Sequence, residues 1–337
     1  MTTPSTICLS LFVATLTAFS VEAQSQKSGG LLLVCNKGDH TLSIIDPESG
    51  EQLAAVPEDG VTGHEVIASA DGKLAFVPIY GNAGVGKPGT DGSLIRVIDL
   101  EKKAVVGTID LHKNIRPHCA IIGPKNHLLY VSTELDNAIQ VIDPKSWNVL
   151  GSIPTGQTES HMFAITSDGK TAYSANVGPG TVSVIDIKAK KVSKIIPVSA
   201  KTQRISISPD DKWVFTADQT KPQLAVIDAK KGEVVKRVEL PALGYGTGIT
   251  PDGKLLIIAI PKLHQVAAVD LQMFTVTKTV EVPKTPQFVL IRPDGKVAYV
   301  SCDASKQVAA IDLETFKVQK LINAGAGADG LAWAAKQ

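Results

Sequence analysis

Short runs of alternating apolar and polar residues recur along the chain. "TLSIID", "LIRVID", "AIQVID", "TVSVID", "QLAVID", "QVAAVD" and "QVAAID" end at Asp46, Asp99, Asp143, Asp186, Asp228, Asp270 and Asp312, at intervals of 53, 44, 43, 42, 42 and 42 residues. Alternation with period two predicts a half-buried strand at each. Between copies come a variable strand such as "VVKRVEL", a short apolar strand, a "PDGK"-type turn and another apolar strand such as "AYVS". The turn residues are those that make tight hairpins. That is four strands per period of about 42 residues, with no helical periodicity between them.

Four short strands at this period predict the blade of a β-propeller, so the fold class is all-β and the seven copies imply seven four-stranded blades. The ends complement each other. "ADGLAWAAK" near the C-terminus is one inner strand without partners, and "LLLVCNK", "TLSIID" and "QLAAV" near the N-terminus are three strands without an inner one. Joined in one blade, they close the ring and hide two sheet edges. The expected organisation is one propeller domain over residues 31–337.

The stretches "AFVPIYG", "LYVSTELDNAIQVID", "AYSANVGPGTVSVID" and "AYVSCDASKQVAAID" resemble the YVTN-type propeller repeat over about Leu31 to Trp333. That family holds secreted binding proteins and surface-layer components, and related propellers include lactonases and the haem-binding domain of a nitrite reductase. The resemblance therefore implies architecture and an extracytoplasmic location, while function must come from the site.

The N-terminus points the same way. Ile7 to Phe19 is an apolar stretch of thirteen residues, too short to span a bilayer, and Val21-Glu22-Ala23 supplies small residues for a cleavage site before Gln24. A signal peptide over residues 1–23, a linker over 24–30, no transmembrane segment and a secreted or periplasmic protein are expected, although "MTTPST" lacks a Lys or Arg. The mature chain keeps Cys35, Cys119 and Cys302, an odd number that excludes a disulfide-stapled scaffold and reads as buried thiols. Net charge is +1 with acids and bases interleaved, so nucleic acid is not an expected partner.

One position in the repeat carries chemistry. Seven residues before the turn aspartate Asp71 stands His64, and the same count gives His118, His161, Gln203, Tyr245 and Gln287, with Asp329 at the equivalent place in the last strand. Each opens the innermost strand of a blade, so together they form a polar ring at one mouth of the central channel. Three consecutive blades put histidine there. Neutral imidazoles are common metal ligands, and three of them with an open position suit one transition-metal ion, namely zinc, copper or iron. The imidazoles of His64, His118 and His161 are then expected within about 3–4 Å of one another. Gln203, Tyr245, Gln287 and Asp329 would complete a ligand-binding mouth, and polar filler is the bland alternative.

Tyr80, Glu134, Asn176, Asp218 and Asp303 lie at or beside the ends of second strands, on the same face. Tyr80 is a ligand-contact candidate and Glu134 the preferred acid/base candidate. Glu65 and Glu159 flank ring histidines, but alternation should turn Glu65 away from the channel. The long first interval reflects an insertion, "GNAGVGKPGTDG" from Gly81 to Gly92, whose glycines suit a flap over the ring. Its near match to a phosphate-binding loop fails, because Pro88 replaces the Ser/Thr and no helix follows. His40, His112, His127 and His264 share no repeat position and read as surface residues. Two functions stay open: a metal-dependent hydrolase, lyase or oxidoreductase acting on a small molecule, and a non-catalytic propeller that binds a ligand or a protein.

Overall fold

A computed structural model describes Met1 and residues 29–59 and 61–336. Apart from Met1, the expected signal peptide lies outside the described residues, as does most of the linker. Seven four-stranded antiparallel sheets stand in a ring. The first combines β1 (Gly30–Asn36), β2 (Thr41–Ile45) and β3 (Gln52–Pro57) with the last strand, β28 (Ala328–Ala335). The next six run consecutively: β4 (Ile67–Ala68) to β7 (Ala104–Asp110), β8 (Pro117–Ile122) to β11 (Val149–Pro154), β12 (Ser160–Ile165) to β15 (Lys191–Pro197), β16 (Thr202–Ile207) to β19 (Glu233–Glu239), β20 (Thr247–Ile249) to β23 (Thr275–Glu281), and β24 (Pro286–Ile291) to β27 (Lys317–Asn323). The only helical elements among the described residues are two single 3₁₀ turns, Pro261–Leu263 and Asp303–Ser305.

The fold is the seven-bladed β-propeller that the repeat predicts, closed as the ends predict. Leu33 pairs with Ala332 and Val34 with Leu331, in a sheet where β28 is the inner strand of the first blade. The recurring aspartates explain themselves locally. At the end of each third strand the carboxylate accepts backbone N–H groups of the following turn, as Asp46 does from Glu48 at 2.8 Å and Asp270 from Gln272 at 2.8 Å. In the hairpin between first and second strands, Asp168 accepts from Thr166 at 2.7 Å and from Lys170 N–H at 3.0 Å. Each repeat thus carries its own turn chemistry.

The core lies between neighbouring sheets rather than along the axis. Ile139, Phe163, Val182 and Ile185 fill one such layer, and Leu32, Val34, Val308 and Leu331 another. Cys35, Cys119 and Cys302 are buried free thiols in this packing. His40, His112, His127 and His264 are exposed turn residues, with φ of 55°, 60°, 55° and 54°.

Candidate functional site

Inner strands begin at the channel mouth, and irregularities there decide where the ring side chains go. β8 bulges between Pro117 and Ala120, and β12 between Ser160 and Met162, which leaves His118 and His161 outside the ladder. A bulge re-aims the side chain it frees. Ser132 then ties the two blades together: its hydroxyl accepts Cys119 N–H at 3.0 Å and donates to the His161 carbonyl at 2.6 Å. The imidazoles of His118 and His161 end with ring centres 3.6 Å apart and planes inclined by 35°. Both are almost fully buried, and both Nδ1 atoms lack a hydrogen-bond partner.

His64 precedes a strand of only two residues and is half-buried. Its ring centre lies 5.6 Å from that of His118. Tyr80 is packed against all three histidines, at 4.9 Å from His64, 5.0 Å from His118 and 5.8 Å from His161. The structure therefore brings His118 and His161 into contact at the expected spacing, while His64 stands beside Tyr80, farther from His118 than expected. As it stands, no group of three His, Cys, Asp or Glu side chains among the described residues is spaced to hold a metal ion.

Behind Tyr80 lies an acid–base network. Its hydroxyl donates to Glu134 Oε2, while Glu134 Oε1 accepts Gly86 N–H at 3.0 Å and Arg116 Nη1 at 3.0 Å. His161 Nδ1 is 3.9 Å from Glu134 Oε2. Arg116 also reaches the insertion loop, donating to Asp91 at 2.6 Å and to the Lys87 carbonyl at 2.7 Å. Residues 81–92 thus lie on the histidine face, pinned by Arg116. Gly86 has φ +66°, and a Cβ there would come within 2.6 Å of the Glu159 carboxylate, so the loop reaches two blades away. A cavity of about 280 Å³ lies beside it, with Gly86, Arg116, Glu134, Thr158 and Glu159 in its wall.

The rest of the mouth is held by a second network. Arg204, with φ 46°, is buried and donates to Glu65 at 2.5 Å and to Asp329 at 3.4 Å, while its guanidinium lies 4.7 Å from the Tyr245 ring centre. Asp329 also meets Lys37 at 3.1 Å, and Lys37 meets Asp303 at 2.8 Å. Tyr245 accepts from Gln203 at 3.1 Å, and Gln287 is half-buried, its carbonyl accepting Gly246 N–H at 3.0 Å. Glu65 thus does not turn away from the channel. β4 is too short for alternation to govern position 65, and the carboxylate spans from the second blade to Arg204 in the fifth. Of the other second-strand residues, Asn176 bonds Ser160, Thr181 and Ser183 within its own blade, and Asp218 caps the turn at Thr220.

Burial sets the protonation states. His64 is lowered to about 4, mainly by desolvation, with Lys37 and Arg204 adding to the effect. His118 and His161 are pushed well below the usual range, again first by burial. All three are neutral near pH 7. Glu65 is raised to about 7 by burial, against the pull of Arg204. Three cations, Lys37, Arg116 and Arg204, face five carboxyls, Glu65, Asp91, Glu134, Asp303 and Asp329, so the mouth keeps an anionic excess even with Glu65 partly protonated. Neutral imidazoles in an anionic surround can accept a cation.

The solved structure of Kuenenia stuttgartiensis hydrazine synthase is similar in fold, with a TM-score of 0.73 and 20% identity over 88% of this chain and 99% of that chain. No curated protein matches the sequence. The family described as "Domain of unknown function (DUF5074)" matches residues 120–290, a span holding His161, Gln203, Tyr245 and Gln287 but not His64 or His118. That match takes in half of the sequence, and the chain belongs to the DUF5074 family.

Proposed function

We propose that this is a secreted or periplasmic YVTN-type propeller that holds one transition-metal ion at the mouth of its channel through His64, His118 and His161. The observation that carries the reading is the pair of adjacent, buried imidazoles whose Nδ1 atoms have no protein partner. His161 Nδ1 lies 3.9 Å from Glu134 Oε2, so the nitrogens left to take an ion are His161 Nε2 and the unpartnered Nδ1 of His118. Low proton affinity leaves each ring with a free lone pair at neutral pH, and the anionic surround favours a cation. His64, the least buried of the three, would move toward the other two to complete the set. Zinc, copper and iron all suit all-nitrogen ligation. A small molecule bound beside the ion would meet Tyr80 and the polar side chains of Gln203, Tyr245, Gln287 and Asp329.

With turnover, the protein is a metal-dependent hydrolase, lyase or oxidoreductase, and Glu134 is the nearest candidate acid or base. A binding protein without turnover is the second reading. It is favoured by the engagement of Glu134, whose carboxylate already accepts from Tyr80, Gly86 and Arg116. Elemental analysis of untagged protein exported with its leader tests the shared premise. One equivalent of zinc, copper or iron, lost in His118→Ala, is the expected result. Metal-free protein that also fails to bind added Zn²⁺, Cu²⁺ or Fe²⁺ removes it.

A further inference from the structure

We propose that Glu134 is the positioning residue that sets the tautomer of His161, and that Tyr80 and His161 share its Oε2. The role rests on the metal-binding reading above, and it assigns which nitrogen of His161 faces the ion. Glu134 is 3% exposed, and its hydrogen bonds can be counted atom by atom. Oε1 has two fixed donors, Gly86 N–H and Arg116 Nη1, each at 3.0 Å. Arg116 is itself held by Asp91 and the Lys87 carbonyl, so Oε1 is filled and anchored. Oε2 has one donor, the Tyr80 hydroxyl. A carboxylate oxygen accepts two, so Oε2 has one lone pair to spare.

The nearest unpaired candidate is His161 Nδ1, buried, without a partner and 3.9 Å away. A neutral imidazole carries its single proton on one of two nitrogens. With the proton on Nδ1, a shift of about 1 Å brings N–H to Oε2 within ordinary hydrogen-bond distance. With the proton on Nε2, the Nδ1 lone pair would face the carboxylate and repel it. The carboxylate therefore selects the Nδ1–H form and leaves the Nε2 lone pair for the ion. Carboxylate–histidine–metal relays work in this way, and losing the carboxylate costs about 10–100-fold in metal affinity. The Tyr80 hydroxyl shares the same oxygen, so its removal frees Glu134 for His161.

Two substitutions in the same network then have opposite consequences. In metal-free, ¹⁵N-histidine-labelled mature protein at pH 7.5, ring spectra assigned with His161→Gln should show His161 protonated on Nδ1. Glu134→Gln should shift it toward the Nε2–H form and weaken Zn²⁺ binding by about 10–100-fold. Tyr80→Phe should keep the Nδ1–H form and bind Zn²⁺ at least as tightly as the wild type. The proposal is overturned by an Nε2–H tautomer in the wild type, or by Tyr80→Phe and Glu134→Gln behaving alike. The wild-type and Tyr80→Phe spectra decide it even where Glu134→Gln does not fold. A wild type that binds no metal yet shows Nδ1–H would sink the metal reading and leave the tautomer assignment standing.

Discussion

The imidazole of His118 lies 3.6 Å from that of His161, ring centre to ring centre, although the two residues sit in different blades, 43 positions apart in sequence. Both rings pack against Tyr80 at the channel mouth, at 5.0 and 5.8 Å between ring centres. Replacing either with alanine should therefore cost about 1–3 kcal/mol, the usual range for a buried side chain outside the main core. Circular dichroism should keep its β signature, while calorimetric titration with Zn²⁺ loses its tight phase. Tight binding retained in both variants would mean that the pair is only polar filler.

Arg204 joins the second, fifth and first blades through Glu65 and Asp329, entirely inside the protein. Removing one partner of such a network strands the other's charge, which typically costs about 3–5 kcal/mol. Arg204→Met should lower the thermal midpoint far more than Lys212→Met, whose partner Asp210 is an exposed turn residue. The double variant Arg204→Met/Glu65→Gln should regain part of the loss, since the stranded carboxylate is gone. Equal midpoints for Arg204→Met and Lys212→Met in a denaturation series would rule out the network as a stabilising feature.

What could be read from the sequence and what could not divide along a physical line. Blade number, closure and the ring position follow from a period, because every repeat repeats its backbone, and so His64, His118 and His161 were countable. Arg204 and Glu65 were not, because their partners come from opposite sides of the channel and no spacing along the chain encodes that pairing. Alternation misplaced Glu65 where the strand shrinks to two residues. A signal for Arg204 was present in "TQRISI", a cation inside an otherwise strand-like stretch, one residue after the ring position. Tyr80 is expected beside the ring but not among the histidines, since its place is set by His118 and Glu134 of the third blade and His161 of the fourth, contacts that no spacing encodes.

Acid should destabilise the apo protein by a defined amount. His64 is lowered to about 4 from its usual 6.5, and His118 and His161 are lowered well below that usual value, so just below it the unfolded chain binds more protons at all three. Stability from these groups is full above about 6.5 and falls as pH drops. Glu58 and Glu65 oppose this, because both are raised to about 7 from 4.5 and are protonated in the folded state while ionised in the unfolded one. Near pH 5.5, three histidines against two carboxyls leave a net uptake of about one proton on unfolding, or about 1 kcal/mol per pH unit. Urea melts between pH 5 and 6 should show that slope, and His64→Gln should flatten it. Stability rising on acidification across this window would refute the assignment.

The loop of residues 81–92 is held over Glu134 by Arg116, through Asp91 and the Lys87 carbonyl. It also contributes Gly86 N–H to Glu134 and rests against Glu159. Its ends are tied in, Gly81 N–H donating to the Thr62 carbonyl at 3.2 Å and Arg116 N–H to the Gly92 carbonyl at 3.0 Å, while the segment between them joins no blade sheet. Cutting it to the length of "NVGPGT" should leave the thermal midpoint within a few degrees, because the flanking strands, β5 (Leu74–Pro78) and β6 (Leu94–Asp99), keep their own pairing from Leu74–Asp99 to Pro78–Ile95. It should also uncover Arg116, Glu134 and Tyr80. Metal exchange, followed as Zn²⁺ transfer to a chelator, should then quicken by about tenfold or more, since a covering loop acts by gating access. An exchange rate unchanged in the shortened protein would make the loop a passive insertion, and entry to the histidines would have to run along the channel instead.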